Sequence, residues 1–190
     1  MDFLIYIAIF ASHLLYACIW IDPIFYKKSV ERYNCDSVNV LANISIVLKI
    51  AQFYLLSLCL INYTIELDYF YLKIIPLLFG QLLNYKVYEK LGYRGVYYGF
   101  KFGYKMPWVT TFPYNILNNP QYIGCQLTLV SIMMFYPYYE ICKICCFWIL
   151  LYINTSYIEK TKYILQDRQI KIVPVAEEKR KSFYIDVLQI

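Results

Sequence analysis

Leu91 to Gly124 reads LGYRGVYYGFKFGYKMPWVTTFPYNILNNPQYIG and holds five of the six glycines in the chain. Gly92, Gly95, Gly99 and Gly103 follow one another at intervals of three, four and four residues, a spacing that predicts one helical face bare of side chains. In a chain this apolar, leucine or phenylalanine would fit such a face at no cost in burial. The bare stripe therefore implies that another helix or a ligand approaches the backbone closely. The stretch closes on Asn118-Asn119-Pro120, where Asn119 reads as an N-cap and Pro120 as the first helical residue. A helix is expected to start there, its unpaired amides turned back toward the glycines and suited to a polar or anionic group.

Apolar runs flank this stretch on both sides. The 190 residues are 61% hydrophobic and 16% charged, against about half and about a quarter in soluble domains, so the expected environment is a lipid bilayer. The length suggests one domain. The net charge of +5 is modest and spread between apolar runs, which sets aside a nucleic-acid partner, since such a protein gathers its basic residues on one polar face. Seven cysteines (Cys18, Cys35, Cys59, Cys125, Cys142, Cys145 and Cys146) are an odd number placed mostly in apolar runs, so no disulfide framework is expected. Cys142-x-x-Cys145-Cys146 has the outline of a metal or redox motif. No second pair stands at zinc spacing and the chain has one histidine, so apolar packing is the expected role and no metal site is expected. That histidine, His13, reads as a hydrogen-bonded group inside the first apolar run.

The hydrophobic runs predict an all-α fold, a polytopic membrane helical bundle with four to five hydrophobic helices. Crossing a hydrocarbon core takes about 20 apolar residues, and the expected spans lie at about 3–20, 41–63, 69–88, 120–136 and 139–158. The first is expected to be a retained helix, because it has neither a basic leader nor a small-residue cleavage site. Lys49 is expected a turn or two inside one end of the second, where its stem can reach the interface. Pro76 should kink the third. The fourth is short and is expected to tilt or to be partly re-entrant. Residues 1–158 form the membrane domain in this reading, and 159–190, with EEKRK near its end, form a charged cytosolic tail.

Orientation follows from the basic residues. If all five runs cross, the connections 21–41 and 85–119 and the tail carry fifteen of the eighteen Lys and Arg on one side, which the positive-inside rule assigns to the cytosol. The acidic link Thr64 to Asp68 and the turn at Pro137 fall opposite. The expected topology has the amino terminus out and the carboxyl terminus in. If the first run is only re-entrant, the amino terminus changes sides and the rest stands.

The order L-G-x-x-G-x-x-x-G-x-x-x-G followed by V-T-x-F-P-Y-N-I-L-N-N-P-x-Y-x-G resembles the phospholipid N-methyltransferase (phosphatidylethanolamine N-methyltransferase) family. These are integral membrane enzymes that methylate phosphatidylethanolamine toward phosphatidylcholine. The likeness is specific across Leu91 to Gly124 and weaker but collinear from about Leu78 to Glu159; residues 1–70 are similar only in being hydrophobic. The resemblance implies S-adenosylmethionine as methyl donor, a membrane phospholipid as acceptor, and an endoplasmic reticulum membrane.

It also implies site residues. Asn119 and Tyr122 of the N-P-x-Y-x-G turn become catalytic candidates that position the donor and accept a hydrogen bond from the amine, and Asn119 also stands where a plain helix cap would. The cofactor-binding candidates are Gly80, Gly92, Gly95, Gly99, Gly124 and Glu159. Gly80 is the one match to a short glycine-containing family stretch, and Glu159 matches the first of two acidic positions after the last span. Lys160 stands where the second acid is expected, and the aromatic usually found nearby is displaced to Tyr163. Methyl transfer needs the amine unprotonated, and for a lysine-like amine only about one in a thousand is free base at pH 7, so an apolar site or a nearby base must raise that share. Tyrosines of this segment serve as interfacial anchors or hold a sulfonium by cation–π attraction, about 0.5–2 kcal/mol. Two other readings are a membrane methyltransferase acting on a prenylcysteine carboxylate, whose turn typically reads R-H-P-x-Y-x-G, unlike Asn118-Asn119, and a catalytically inactive membrane scaffold, suggested by Lys160 and the partial match at Gly80.

Overall fold

The computed structural model describes residues 2–106 and 109–160, and the regular elements among them are all helical. In chain order they are α1 (Asp2–Ile21), α2 (Pro23–Glu31), α3 (Ser37–Leu60) and α4 (Phe70–Val96), a short 3₁₀ turn (Gly99–Phe102), and α5 (Pro120–Phe135). The final helix, α6, runs over Tyr139–Lys160. The chain divides into two units, Met1–Ser156 and Tyr157–Ile190. Of the second, the described residues are the last turn of α6, so Tyr163 and nearly all of the expected tail lie outside the described residues.

Helix starts follow their capping chemistry. Asp22 accepts from the amide of Phe25 at 3.0 Å and Pro23 opens α2; Asp36 accepts from the amide of Asn39 at 2.8 Å and opens α3. Each satisfies an amide that the helix itself leaves without a partner. In α6, Ile141, Ile144, Cys145, Trp148 and Tyr152 recur on one face and form a core with Ile5 and Ile9 of α1, Leu56 of α3 and Leu129 of α5. Cys145, from the cysteine-rich stretch, is thus a packing residue.

α5 packs along α4, and two glycines meet face to face where they touch. A methyl group on Gly80 would lie 2.5 Å from the carbonyl oxygen of Gly124, and one on Gly124 would lie 2.6 Å from that of Gly80. Gln81 donates to the Thr128 hydroxyl at 2.9 Å, and Ser131 donates to the carbonyl of Lys73 at 2.7 Å. In lipid, where no hydrophobic force draws helices together, small residues and interhelical hydrogen bonds of this kind hold them.

Connections of like charge meet at opposite ends of the helices. At the basic end, Lys27 donates to the Phe102 carbonyl at 3.1 Å, and the hydroxyl of Tyr104 donates to Asp36. At the other end, the Glu66 amide donates to the Phe135 carbonyl at 2.9 Å, Thr64 and Tyr138 share a hydrogen bond of 2.6 Å, and Lys73 reaches Glu66 at 3.6 Å.

Among the described residues three helices, α1, α3 and α6, are long and apolar enough to cross a membrane, fewer than the four to five expected. The 16 residues of α5 rise about 24 Å at 1.5 Å each, less than a hydrocarbon core of about 30 Å. α4 is interrupted by Lys73, Gln81, Asn84, Lys86 and Glu89, and it takes its place by pairing with α5. Pro76 lies inside α4, but the non-helical dihedrals fall at Gly92 (φ 65, ψ 178), so the break comes four turns later than the expected kink.

Candidate active site

The glycine segment does not make the single bare face that its spacing predicts. Gly92 breaks α4, and Gly103 (φ 97) closes the 3₁₀ turn; both have left-handed φ, which glycine adopts without a steric penalty. A methyl group on Gly99 would lie 2.6 Å from the Arg94 carbonyl oxygen, and one on Gly95 would lie 2.6 Å from Leu91 Cβ. The crowding is therefore mainly within the segment, which coils on itself because regular helix is lost at Gly92 and again at Tyr98 (φ 57). The coil turns Tyr97 and Tyr98 inward, each 7% exposed.

Tyr98 joins this coil to the start of α5, its hydroxyl 3.2 Å from that of Tyr122. The Tyr122 ring packs on the Tyr152 ring of α6 with centroids 5.6 Å apart. Lys49 donates to the Tyr152 hydroxyl, and its ammonium lies 5.3 Å from the Trp148 ring centroid. His13 bonds Thr155 at 3.0 Å and meets the Tyr152 ring edge-on, which is the structural role expected of it. Asn119 occupies the cap position of α5, but its side chain makes no cap bond and donates to Ser156 at 2.6 Å.

Beside this network lies a cleft of about 650 Å³, within the range of small-molecule sites. Tyr16 of α1, Tyr88 of α4, Tyr97 and Gln121 line one side, and Ser45, Ile46, Lys49, Ile50, Phe53, Tyr54 and Ser57 of α3 line the other. The Tyr88 and Tyr97 hydroxyls share a hydrogen bond of 3.0 Å. Burial and that bond raise the Tyr97 phenol well above the usual tyrosine range, so it stays protonated. At the start of α3, the Tyr104 hydrogen bond holds the Asp36 carboxyl below its ordinary range, helped by the amides of Asn39 and Val38 and the charge of Arg94. The Arg94 guanidinium lies 4.4 Å from the Tyr104 ring centroid.

Of the expected site residues, the structure brings Gly80 against Gly124 and Tyr122 against Tyr98, but Asn119, Tyr122, Gly80, Gly92, Gly95, Gly99 and Gly124 do not themselves line the cleft. Their neighbours Tyr97 and Gln121 do. Glu159 belongs to the last turn of α6, in the second unit. Lys49, expected near an end, stands twelve residues after Ser37 and eleven before Leu60. The signal for it was present in the sequence, since an ionisable side chain in the middle of a membrane helix marks a functional site by default. Among the described residues no group of His, Cys, Asp and Glu is arranged to hold a metal.

Residues 69–163, from the start of α4 through α6, match the phospholipid methyltransferase family. The chain belongs to that family. This phospholipid methyltransferase is 38% identical over 126 residues to the phosphatidyl-N-methylethanolamine N-methyltransferase of Arabidopsis thaliana, an alignment that covers 65% of the chain and 71% of the relative. It is 32% identical over 136 residues to phosphatidylethanolamine N-methyltransferase A of Dictyostelium discoideum, covering 62% of the chain and 64% of the relative. No solved structure matches. The phospholipid methyltransferase is thus a membrane enzyme of phospholipid N-methylation, and the family segment supplies Tyr88, Tyr97 and Gln121 to its cleft.

Proposed function

We propose that the cleft brings S-adenosylmethionine together with the headgroup of an ethanolamine phospholipid, and that the enzyme methylates phosphatidylethanolamine and its mono- and dimethyl derivatives toward phosphatidylcholine. The observation that carries this reading is the aromatic make-up of the cleft, where Tyr16, Phe53, Tyr54, Tyr88 and Tyr97 stand among the lining residues. Aromatic faces attract a sulfonium, and the volume is ample for such a donor. When bound, the donor supplies an electrophilic methyl group; the protein aligns the acceptor and keeps it free of its proton. Apolar walls disfavour an ammonium beside them, so the acceptor amine is drawn toward its free base. Asn119 and Tyr122, close to Gln121 in the chain, are the residues proposed to position the donor and to accept a hydrogen bond from the amine, and Glu159 is the proposed contact for the donor's amino group. In the same reading the membrane is that of the endoplasmic reticulum, with the basic end and the carboxyl terminus cytosolic and 159–190 as an appendage of the membrane domain 1–158.

The name of the Arabidopsis relative favours a second, narrower reading, in which this enzyme acts only once a first methyl is in place. Membranes of a strain lacking phosphatidylcholine synthesis, supplied with labelled donor, this protein and each acceptor lipid in turn, test both. Label on all three lipids supports the full sequence. Label on the mono- and dimethyl lipids alone supports the narrower one. Label on prenylcysteine ester instead, or on nothing although the protein is inserted, overturns the proposal.

A further inference from the structure

We infer that Lys49 binds the phosphodiester of the acceptor phospholipid, with one acyl chain laid along α3 from Ile50 toward Ser57. The inference rests on the proposed lipid methylation and assigns a role to a helix outside the family segment. Its starting point is an amine with no acidic partner among the described residues. Lys49 is in the middle of a membrane-spanning helix, where an ammonium is costly unless it has a partner or a function. Its neighbours are the neutral Tyr152 hydroxyl and the rings of Trp148 and Tyr152, and among the described residues no carboxylate pairs with it. An anion brought beside this amine meets a donor that no carboxylate occupies, and its charge favours the ammonium form.

The cleft around it is graded. Ser45, Lys49, Tyr88, Tyr97 and Gln121 make one end polar. Beyond Lys49, Ile50, Phe53 and Tyr54 continue the wall, and Ser57 spends its hydroxyl on the carbonyl of Tyr54 at 2.7 Å. From Lys49 to Ser57 the helix rises about 12 Å. Ile50 is 64% and Tyr54 62% exposed, so this wall opens sideways on a helix apolar enough to lie in lipid. Helical side chains lean toward the N-terminus, which directs the ammonium to the polar end. The carboxylate of a water-borne donor is the other available anion. The lipid-open flank of Lys49, between Ile46 and Ile50, favours the phosphodiester.

The test measures initial rates against phosphatidyl-N-methylethanolamine and against methyl donor separately, for the wild type, Lys49→Met and Lys49→Arg. Losing a charged hydrogen bond should raise the lipid KM of Lys49→Met about 10- to 100-fold, leave the donor KM within about twofold, and be largely repaired by arginine. An unchanged lipid KM, or a rise confined to the donor KM, overturns the assignment. Binding of hexadecylphosphocholine without donor, compared with uncharged hexadecyl maltoside, separates this inference from the proposed function. Preference for the phosphodiester in wild type that is lost in Lys49→Met supports the assignment even if no lipid is methylated, and equal preference in both overturns it even if methylation proceeds. Should Lys49→Met not insert, competition by hexadecylphosphocholine against lipid but not donor in wild type supports it, and absence of competition overturns it.

Discussion

Gly80 and Gly124 face each other across the α4–α5 crossing with no room for a methyl group on either, the nearest obstacle being the other's carbonyl oxygen at 2.5 and 2.6 Å. Because backbone and not a flexible side chain blocks the space, relief requires the helices to part.

Gly80→Ala and Gly124→Ala should each destabilise the protein by about 1–3 kcal/mol, the usual cost of overpacking, although alanine in a helix interior otherwise gains up to about 1 kcal/mol over glycine. The double variant should cost less than the sum, because both substitutions force the same separation. Thermal unfolding in detergent measures this. An alanine variant that melts at the wild-type temperature would show the crossing to be looser than described.

Asp36 gives a pH dependence with a definite sign. Its carboxyl is held below the ordinary range, chiefly by the Tyr104 hydroxyl, so its contribution is complete above the unfolded value of about 3.9 and is lost as pH falls through the lower folded value. Tyr104→Phe removes the largest cause. Fraying of the α3 start, followed by amide exchange at Asn39, should begin at higher pH in the variant than in wild type. Coincident acid profiles would mean that the Tyr104 bond does not govern this carboxyl.

Glu159 carries its proposed role through its match to the family's acidic position. Glu159→Ala should weaken donor binding by about tenfold, the loss of one charged hydrogen bond, and leave lipid binding nearly unchanged; Glu159→Gln should behave like alanine if charge is what matters. Equilibrium binding of labelled donor decides it, and an unaltered donor affinity would remove the assignment.

Much of the fold can be read in the sequence because apolar runs and Asx-Pro caps are local signals. Asn119-Pro120 marks the start of α5 to the residue. The same signal at Asp22-Pro23 starts α2, yet it is hidden in the polar connection 21–41, because α2 has no apolar periodicity and leaves Ile24 and Phe25 64% and 71% exposed. The glycine segment is harder, since spacing says nothing about φ. Gly92 and Gly103 serve turns, whereas the small face that does meet another helix is Gly124, Thr128 and Ser131, spaced four and three along α5 and all buried. The family motif locates Tyr122 and Asn119 but not the cleft, whose wall depends on a contact between α3 and residues some forty to seventy positions away.

That wall has a consequence for how the enzyme relates to its kin. α3 ends nine residues before the stretch, 69–163, by which the family is recognised, so the signature covers Tyr88, Tyr97 and Gln121 of the cleft and is silent about Tyr16 and the whole α3 wall. If the acceptor lipid enters along this wall as proposed, exchanges at Ile46, Ile50, Phe53 and Tyr54 would reshape its path while leaving the signature intact. On that reading, two enzymes alike throughout the recognised stretch would be free to differ in which lipids they accept.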